Sequence, residues 1–354
     1  HQIACGEEAL KLVRKHLERN ATSGANGNGR YVRKLFAQIY ENMGVRAMAD
    51  GVIELHEITE FQPEDIPASL EQHTKRFTLD EALAQLDSLV GLANVKTKIR
   101  ELVQITSAEA VRDAAAQPVI GHSLNLVFTG DPGTGKTTVA RIVANIYQAL
   151  GVLPRGQLVE TGRQDLVASF VGQTAPKVQA KVDEASGGVL FIDEAYSLTN
   201  GGFNDFGSEA IATLVQLMEN RRGSFAVITA GYKEEMKFFL EANPGLKSRM
   251  DNEIFFPNYS KDELVEIFTS IAKGKNIEVT TDVESALRAH FGNNETGGAN
   301  GNGRYVRKLF EKMYALMATR ASAHDFDLGM LSKFEPEDIP AKLHEGKSGA
   351  PIGF

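Results

Sequence analysis

Short apolar runs alternate with longer segments of helical periodicity between residues 75 and 345. Three of the runs, at 124–129, 189–193 and 225–230, are bounded by glycine or polar residues. This is the form of strands that are covered on both faces. Apolar residues recur at helical spacing over 86–112 and 209–219. Strands that alternate with helices are typical of a parallel sheet between helical layers, so the pattern predicts an α/β fold.

A segment of thirteen residues, 24–36, recurs without change as 298–310. After a slip of one residue, the similarity continues between 61–67 and 334–340. The apolar residues of each copy recur at roughly helical spacing, so each copy is predicted to be a small helical domain. Self-similarity of this kind marks an array of repeated units.

Charge and composition narrow the classes of partner. The chain of 354 residues has 38 Lys and Arg against 46 Asp and Glu, a formal net charge of −8. This balance disfavours nucleic acid as the main partner, because an acidic chain repels the phosphate backbone. The single cysteine, Cys5, and the lack of an apolar run that could span a bilayer indicate a reducing, aqueous compartment. We therefore expect a cytoplasmic protein.

A glycine-rich segment follows the first predicted strand directly. It consists of Gly130, Asp131, Pro132, Gly133, Thr134, Gly135, Lys136 and Thr137. The segment satisfies the phosphate-loop pattern G-x-x-x-x-G-K-[ST] and leads into the apolar periodicity of 139–150. Lys136 is predicted to neutralise the β- and γ-phosphates of ATP, and the Thr137 hydroxyl to ligate Mg²⁺. The predicted ATP site also includes Thr138, at the start of the helix whose N-terminus favours anions.

Two carboxylates, Asp193 and Glu194, end the second predicted strand. This is the Walker B pattern of nucleotide-hydrolysing enzymes. Asp193 is predicted to hold the metal ion, and Glu194 to polarise the attacking water as a general base. An acidic pair at a strand end could also be a solvated turn, but the phosphate loop upstream favours the functional interpretation.

The chain resembles the AAA+ superfamily, and within it the family of the red-type Rubisco activase CbbX and stage V sporulation protein K. The resemblance spans residues 78–343. Besides the phosphate loop, its motifs include Ser169-Phe170-Val171-Gly172, Phe191-Ile192-Asp193-Glu194, Met218-Glu219-Asn220 and Asn243-Pro244-Gly245-Leu246. It implies a P-loop AAA+ parallel sheet flanked by helices, a small helical lid and hydrolysis of ATP with Mg²⁺. The type VII secretion-associated ATPases are similar in the same region.

The repeat and the resemblance together suggest how the chain is divided. We expect an AAA+ ATPase domain at 71–257, a helical lid at 258–345 and a tail at 346–354. Residues 1–70 resemble the lid but have no phosphate loop before them. We therefore expect them to be the tail of a preceding module in a tandem array.

Two arginines gain expected roles from the resemblance. Arg249 lies where AAA+ proteins place the arginine finger, which reaches the γ-phosphate bound by the neighbouring subunit. Arg304 matches the sensor-2 arginine, which acts from the lid on the same nucleotide. Its duplicate Arg30 has no phosphate loop before it in this chain, so we assign it no site role. For sensor 1 the chain offers Thr229 or Tyr232, and Thr229 is preferred.

Two loops also match the family. Gly91 and Leu92 match the segment that packs on adenine, where an apolar loop suits a flat base. Phe170 and Val171 fall where the family has its first pore loop, whose aromatic side chain can press against any peptide in the central channel. The candidates for a second pore loop, or for anchors of their own loop, are Phe203 and Phe206.

The leading interpretation is a protein-remodelling motor that forms a homo-oligomeric ring, commonly of six subunits in this superfamily, and acts on a client protein. The alternative is a scaffold whose assembly is controlled by nucleotide and which threads no substrate. A nucleic-acid motor is disfavoured by the charge.

Overall fold

The computed structural model describes residues 4–20, 28–47, 59–66, 77–199, 206–294, 296–297, 301–322 and 325–343. The chain divides into two compact units, His1–Arg76 and Phe77–Phe354. The predicted tail at 346–354 lies outside the described residues.

The first unit contains two helices in its described part, α1 Glu7–Asn20 and α2 Asn28–Ala47. Two short parallel strands, β1 Ala4–Cys5 and β2 Glu60–Phe61, pair beside them.

A small core holds this first unit together. Leu35, Ile39 and Met43 recur every four residues on one face of α2, and they pack against Phe61. Near the end of the same helix, Nε of Arg46 lies 2.9 Å from Oδ1 of a buried aspartate, Asp65.

A five-stranded parallel sheet, in the order β4-β5-β6-β3-β7, forms the centre of the larger unit. Its strands are β3 Leu126–Gly130, β4 Leu158–Thr161, β5 Val189–Ile192, β6 Ala226–Gly231 and β7 Glu253–Phe256. Every residue of β3, β5 and β6 is buried. Helices connect the successive strands, as parallel pairing requires. The predicted α/β fold is confirmed.

Helices cover both faces of the sheet. They are α3 Leu79–Asp87, α4 Ala93–Ala114, α5 Lys136–Ala149, α6 Arg163–Leu166, α7 Thr174–Ala185, α8 Gly207–Asn220, α9 Lys233–Glu241 and α10 Pro244–Arg249. Leu126 and Phe128 of β3 pack into a core with α3, α4 and α5, whereas Val127 packs into a second core with helices α7 to α10. This alternation follows from the two-residue period of a strand.

The helical spacing predicted over 86–112 is interrupted, and the prediction is wrong at residues 88–92, which separate α3 from α4. Gly91 and Leu92 have φ values of 61° and 57°, in the left-handed region. A right-handed helix does not pass through two such residues. The resulting turn forms part of the site described below.

The lid follows the sheet, and its helices in the described ranges are α11 Lys261–Lys273, α12 Thr281–Asn293, α13 Asn302–Ser322 and α14 Leu328–Leu331. Phe268 of α11 packs against Phe310 of α13 and Phe334, with ring centroids 5.5 and 5.6 Å away, and the last two rings also contact each other. Phe310 is therefore only 9% exposed, whereas its duplicate Phe36 is 52% exposed. The described part of the first unit contains no helix equivalent to α11.

The duplicated sequence also produces the same local ion pair in both units. Nη2 of Arg320, in α13, lies 3.0 Å from Oδ2 of Asp338, as Arg46 bonds Asp65 in the first unit. Both aspartates are buried. A buried carboxylate needs a partner of this kind, because an unpaired buried charge is costly.

Candidate functional site

A cavity of about 430 Å³ lies at the carboxyl ends of β3, β5 and β6, where the sheet faces the lid. Open α/β sheets bind their ligands at this edge. The α/β domain contributes Pro132, Gly133, Gly135, Lys136, Thr137, Thr138, Asp193, Glu194, Tyr196, Gly231 and Tyr232 to the cavity wall. The segments 88–92 and 259–271 and the start of α13 complete it.

The glycine-rich segment forms a tight loop before α5. Gly133 and Gly135 have φ values of 75° and 95°, which are unfavourable for residues with a side chain. Gly135 is the residue before the first turn of α5, and Lys136 begins that helix. The unpaired backbone N–H groups of a helix N-terminus form an anion site, so the predicted phosphate loop has the required geometry.

Lys136, the first residue of α5, places a positive charge at this anion site. Its Nζ donates to the carbonyl oxygens of Gly130 and Asp131, at 2.7 and 2.8 Å. Burial lowers the pKa of Lys136, and the charge of Arg304 lowers it further, whereas Asp193 and two other carboxylates act in the opposite direction. The ammonium group thus lies in a site where a polyanion would be a favourable partner.

The two predicted carboxylates end β5 at the cavity. The backbone N–H of Asp193 donates to the Thr161 carbonyl at 2.9 Å, which continues the pairing with β4. Glu194 has a φ of 49°, a left-handed conformation that costs a residue with a side chain roughly 1 to 2 kcal/mol. Such strain is concentrated at functional sites, where the surrounding structure compensates for it.

The donor set suits a hard divalent cation that also binds phosphate. Thr137 and Asp193 line the same cavity and offer a hydroxyl and a carboxylate oxygen. Within the described ranges no group of three or more His, Cys, Asp or Glu could hold a metal ion by itself. Mg²⁺ is commonly held by one or two side chains together with substrate phosphates, so these residues fit it.

The lid contributes two arginines to the cavity wall, Arg304 and Arg307, both on α13. The sequence predicted Arg304. It missed Arg307, although a spacing of three residues places both side chains on the same side of a helix. Together with Lys136 they give the cavity three cationic groups, which suits a ligand that carries several phosphate charges.

The opposite end of the cavity is apolar. Leu89, Val90 and Leu92 from the turn between α3 and α4 line it, together with Ile267 and Ile271 of α11. Such a slot suits a flat heterocyclic base. Gly91 does not line the cavity, and its φ of 61° is a left-handed conformation that glycine adopts readily. Leu92 therefore lies at the site, whereas Gly91 shapes the turn.

The two sensor-1 candidates occupy different environments. Thr229 is fully buried, with its hydroxyl directed at Sδ of Met250, 3.9 Å away, and it does not line the cavity. Tyr232 does line it. A strand alternates its side chains, and β6 turns Thr229 into the core. The geometry thus favours the alternative, Tyr232.

Tyr196, two residues after Glu194, was not predicted as a site residue, yet it also lines the cavity. Its ring centroid lies 5.8 Å from that of Tyr232. Burial raises the pKa of Tyr196 to about 12, and the neighbouring carboxylate of Glu194 acts in the same direction. Both tyrosines are therefore neutral hydrogen-bonding groups beside the two carboxylates at neutral pH.

Arg249 is not among the residues that line this cavity. It ends α10, and its side chain is 29% exposed in an ion pair with Glu219. The structure brings together the phosphate loop, the two carboxylates and Arg304, and it leaves Arg249 outside that group.

The predicted pore residues project into solvent. Phe170 and Val171 are 69% and 83% exposed, and Gly172 follows them with a φ of 78°. A second cavity, of about 680 Å³, extends from Ser169, beside this loop, to Glu194. Phe206 also lines the second cavity, and Phe203 lies outside the described residues.

Comparison with known families shows two matches. The model of the "ATPase family associated with various cellular activities (AAA)" matches residues 126–258. The AAA lid domain matches 1–76 and 260–349, so both repeat copies are similar to it.

Curated relatives are similar over most of the chain. Protein CbbX of Cereibacter sphaeroides is 41% identical over 266 residues, which cover 74% of this chain and 86% of the relative. Stage V sporulation protein K of Bacillus subtilis (strain 168) is 36% identical over 288 residues, or 80% and 89% of the two chains. The ESX-1 secretion system protein EccA1 of Mycobacterium leprae (strain TN) is 44% identical, but only 43% of it is covered.

No helix in the described parts of the chain is both long and apolar enough to cross a membrane. The matches establish an ATPase that uses ATP with Mg²⁺, as the cavity's phosphate loop and carboxylates indicate. This chain therefore belongs to the AAA family of ATPases, in the group that includes Protein CbbX and stage V sporulation protein K.

Proposed function

We propose that the chain is one subunit of a ring that uses ATP hydrolysis to remodel a client protein, which Phe170 and Val171 grip in a central pore. The observation that carries this proposal is the exposure of these two side chains, 69% and 83%. Neighbouring aromatic and aliphatic side chains at a loop tip contribute nothing to the core of the subunit. Exposed apolar groups of this kind mark an interaction surface.

In this proposal each residue at the cavity has a separate task. Lys136 binds the β- and γ-phosphates, and Thr137 and Asp193 would hold Mg²⁺, which when bound offsets phosphate charge. Glu194 accepts a proton from the water whose oxygen attacks the γ-phosphorus, while the bond from that phosphorus to the bridging oxygen of ADP breaks. Arg304 stabilises the charge on the transferred group from the lid side.

The position of Arg249 supports a ring. It is absent from the wall of the cavity in its own chain, and its guanidinium is partly accessible. An arginine finger offered to the neighbouring subunit explains this placement, because such a finger acts on a nucleotide bound by another chain. Contacts of this head-to-tail kind close into a ring when the rotation between subunits permits it, and we propose six subunits.

The second cavity offers a physical route between client and nucleotide. It is lined by Gln164 and Ser169, close to the exposed pair in sequence, and also by Asp193 and Glu194. A client that displaces the loop at 170–172 would therefore act on residues adjacent to the hydrolytic carboxylates. This arrangement supports a motor whose turnover responds to its client.

The test compares Phe170→Ala with Phe238→Ala, in which the control is a phenylalanine of similar exposure, 68%, on α9. ATP turnover is measured with and without an unfolded polypeptide such as casein. We expect equal basal turnover in both variants, and loss of the casein-stimulated part only in Phe170→Ala. If Phe170→Ala keeps the stimulation, or if casein has no effect on the wild type, the scaffold that threads no substrate becomes the better account.

A further inference from the structure

Asn302, the first residue of α13, is only 1% exposed, and its side-chain amide is hydrogen-bonded at both the oxygen and the nitrogen. Its Oδ1 accepts a hydrogen bond from the backbone N–H of Tyr259 at 3.0 Å. Its Nδ2 donates to Oδ1 of Asn258 at 2.8 Å and to the carbonyl oxygen of Pro132 at 3.2 Å. Both amide hydrogens are therefore used, and all three partners lie outside its own helix.

The two residues that Asn302 bonds outside the phosphate loop, Asn258 and Tyr259, also form hydrogen bonds to that loop. Nδ2 of Asn258 donates to Oδ2 of Asp131 at 2.9 Å, and the hydroxyl of Tyr259 donates to the Thr134 carbonyl at 3.2 Å. Asn258 and Tyr259 form the passage from β7 to the first lid helix, α11. We call the group formed by Asp131, Asn258, Tyr259 and Asn302 the clasp.

Glycines allow the two backbones to meet beside the clasp. The N–H of Gly303 donates to the carbonyl of Gly133 at 3.0 Å. A Cβ atom at Gly133 would lie 2.6 Å from the Gly301 oxygen and 2.9 Å from the Arg304 nitrogen. The start of α13 thus rests directly on the phosphate loop, with no room for a side chain between them.

The backbone of Asn302 explains why this residue type suits the position. Its φ is 56°, in the left-handed region. Asparagine tolerates this conformation better than most residues, because its short polar side chain can hydrogen-bond locally. A substitution that tests the side chain must therefore also tolerate a left-handed backbone, and aspartate does so.

We infer that Asn302 is a positioning residue for ATP hydrolysis, which fixes α13 on the phosphate loop so that Arg304 faces the phosphates. Arg304 lies two residues further along the same helix and lines the cavity. Losing the clasp would leave the guanidinium present but free to move with the lid, and catalysis is sensitive to displacements of about 1 Å. The inference rests on the proposed role of Arg304.

The main test is Asn302→Asp. Aspartate keeps the size, the left-handed tolerance and the acceptor for Tyr259, but it places an oxygen opposite two acceptors, the Pro132 carbonyl and Oδ1 of Asn258. We expect ATP turnover to fall roughly ten- to a hundredfold. The thermal midpoint should fall as well, because the new carboxylate is buried and faces two acceptors. The matched control is Asn28→Asp, at the duplicate position in the first unit, and its turnover should equal that of the wild type.

A second variant and a double variant separate positioning from a structural role. Asn258→Ala removes one partner of Asn302 from an exposed position without adding charge, and it should lower turnover in the same direction. In an Arg304→Ala background, Asn302→Asp should cause no further loss of turnover, because Asn302 acts through Arg304.

Unchanged turnover in Asn302→Asp, or the same fold loss with and without Arg304, would overturn the inference. These outcomes differ from a failure of the proposed site, in which Arg304→Ala alone would leave turnover at the wild-type level. That last result would remove both the role of Arg304 and the positioning role built on it.

Discussion

Arg249 and Glu219 form an ion pair in which Nη2 and Nε of the arginine lie 2.8 and 3.2 Å from the same carboxylate oxygen, Oε2. Nη1 also donates to the carbonyl of Gly245 at 3.2 Å. With a further bond from Nη1 to Oγ of Ser248, at 3.3 Å, four hydrogen bonds restrict a side chain that ends its helix and does not line its own cavity. We infer that Glu219 presents Arg249 to a neighbouring subunit.

Glu219→Ala should lower ATP turnover of the assembled protein, by less than Arg249→Ala does, because the arginine stays present but loses its main partner. ATP binding should not change. The free energy of unfolding should change by less than about 1 kcal/mol, since exposed ion pairs contribute little.

The control for this prediction is Asp183→Ala, which breaks a comparable exposed pair, with Nη1 of Arg221 2.6 Å from Oδ1. Its turnover should match that of the wild type. Equal effects of the two substitutions, measured as turnover at saturating ATP, would show that Glu219 has no special relation to the finger.

The pH dependence of kcat/KM reports on Lys136 in the free enzyme. The protonated amine binds phosphate, so kcat/KM should fall as the pH rises through its pKa, which burial and Arg304 lower from 10.5. This fall is the alkaline limb of the pH profile. Arg304→Ala removes one positive neighbour of Lys136 and should therefore move the alkaline limb to higher pH. Arg30→Ala, at the duplicate position, is the control and should leave the limb in place. A limb that moves to lower pH in Arg304→Ala would contradict the assignment.

Glu194→Gln should bind ATP and fail to cleave it, because an amide does not accept a proton from water. We expect single-turnover cleavage to fall by a factor of roughly 10² or more. Gel filtration in ATP should show persistent assemblies. Glu235→Gln, an exposed carboxylate on α9, is the control and should cleave normally. Cleavage by Glu194→Gln at the wild-type rate would exclude this residue as the base.

Sequence predicted those parts of the fold that depend on local pattern. The apolar run before Gly130 became β3, and the run before Asp193 became β5, because strands buried on both faces need continuous apolar residues. The phosphate loop also follows from a local pattern, and its glycines have positive φ values. The repeat likewise predicted two similar helical units.

The other features of the fold and of the site depend on contacts between segments that are distant in sequence. Tyr196 and Arg307 reach the cavity through the packing of separate elements, and only the three-residue spacing from Arg304 marks Arg307 in the sequence. Thr229 and Tyr232 are close in sequence, yet strand alternation buries the first and the strand end exposes the second. The role of Asn302 could not be predicted from local pattern, because its partners lie 43, 44 and 170 positions away.

In the proposed ring, Arg249 of one subunit completes the site of the next. Loss of Lys136 removes the cation that binds the β- and γ-phosphates, so Lys136→Ala should abolish nucleotide binding. Arg249→Ala should bind ATP nearly as the wild type does and turn over about 10³-fold more slowly. Each variant keeps the part that the other lacks.

The most direct measurement is therefore the ATPase rate of Arg249→Ala and Lys136→Ala subunits, first separately and then mixed. We expect mixing to restore part of the activity, since an intact phosphate loop of the first variant then meets an intact finger of the second. We also expect the specific activity of the wild type to rise with protein concentration. No rescue on mixing, together with specific activity that is independent of concentration, would contradict a finger that acts between subunits.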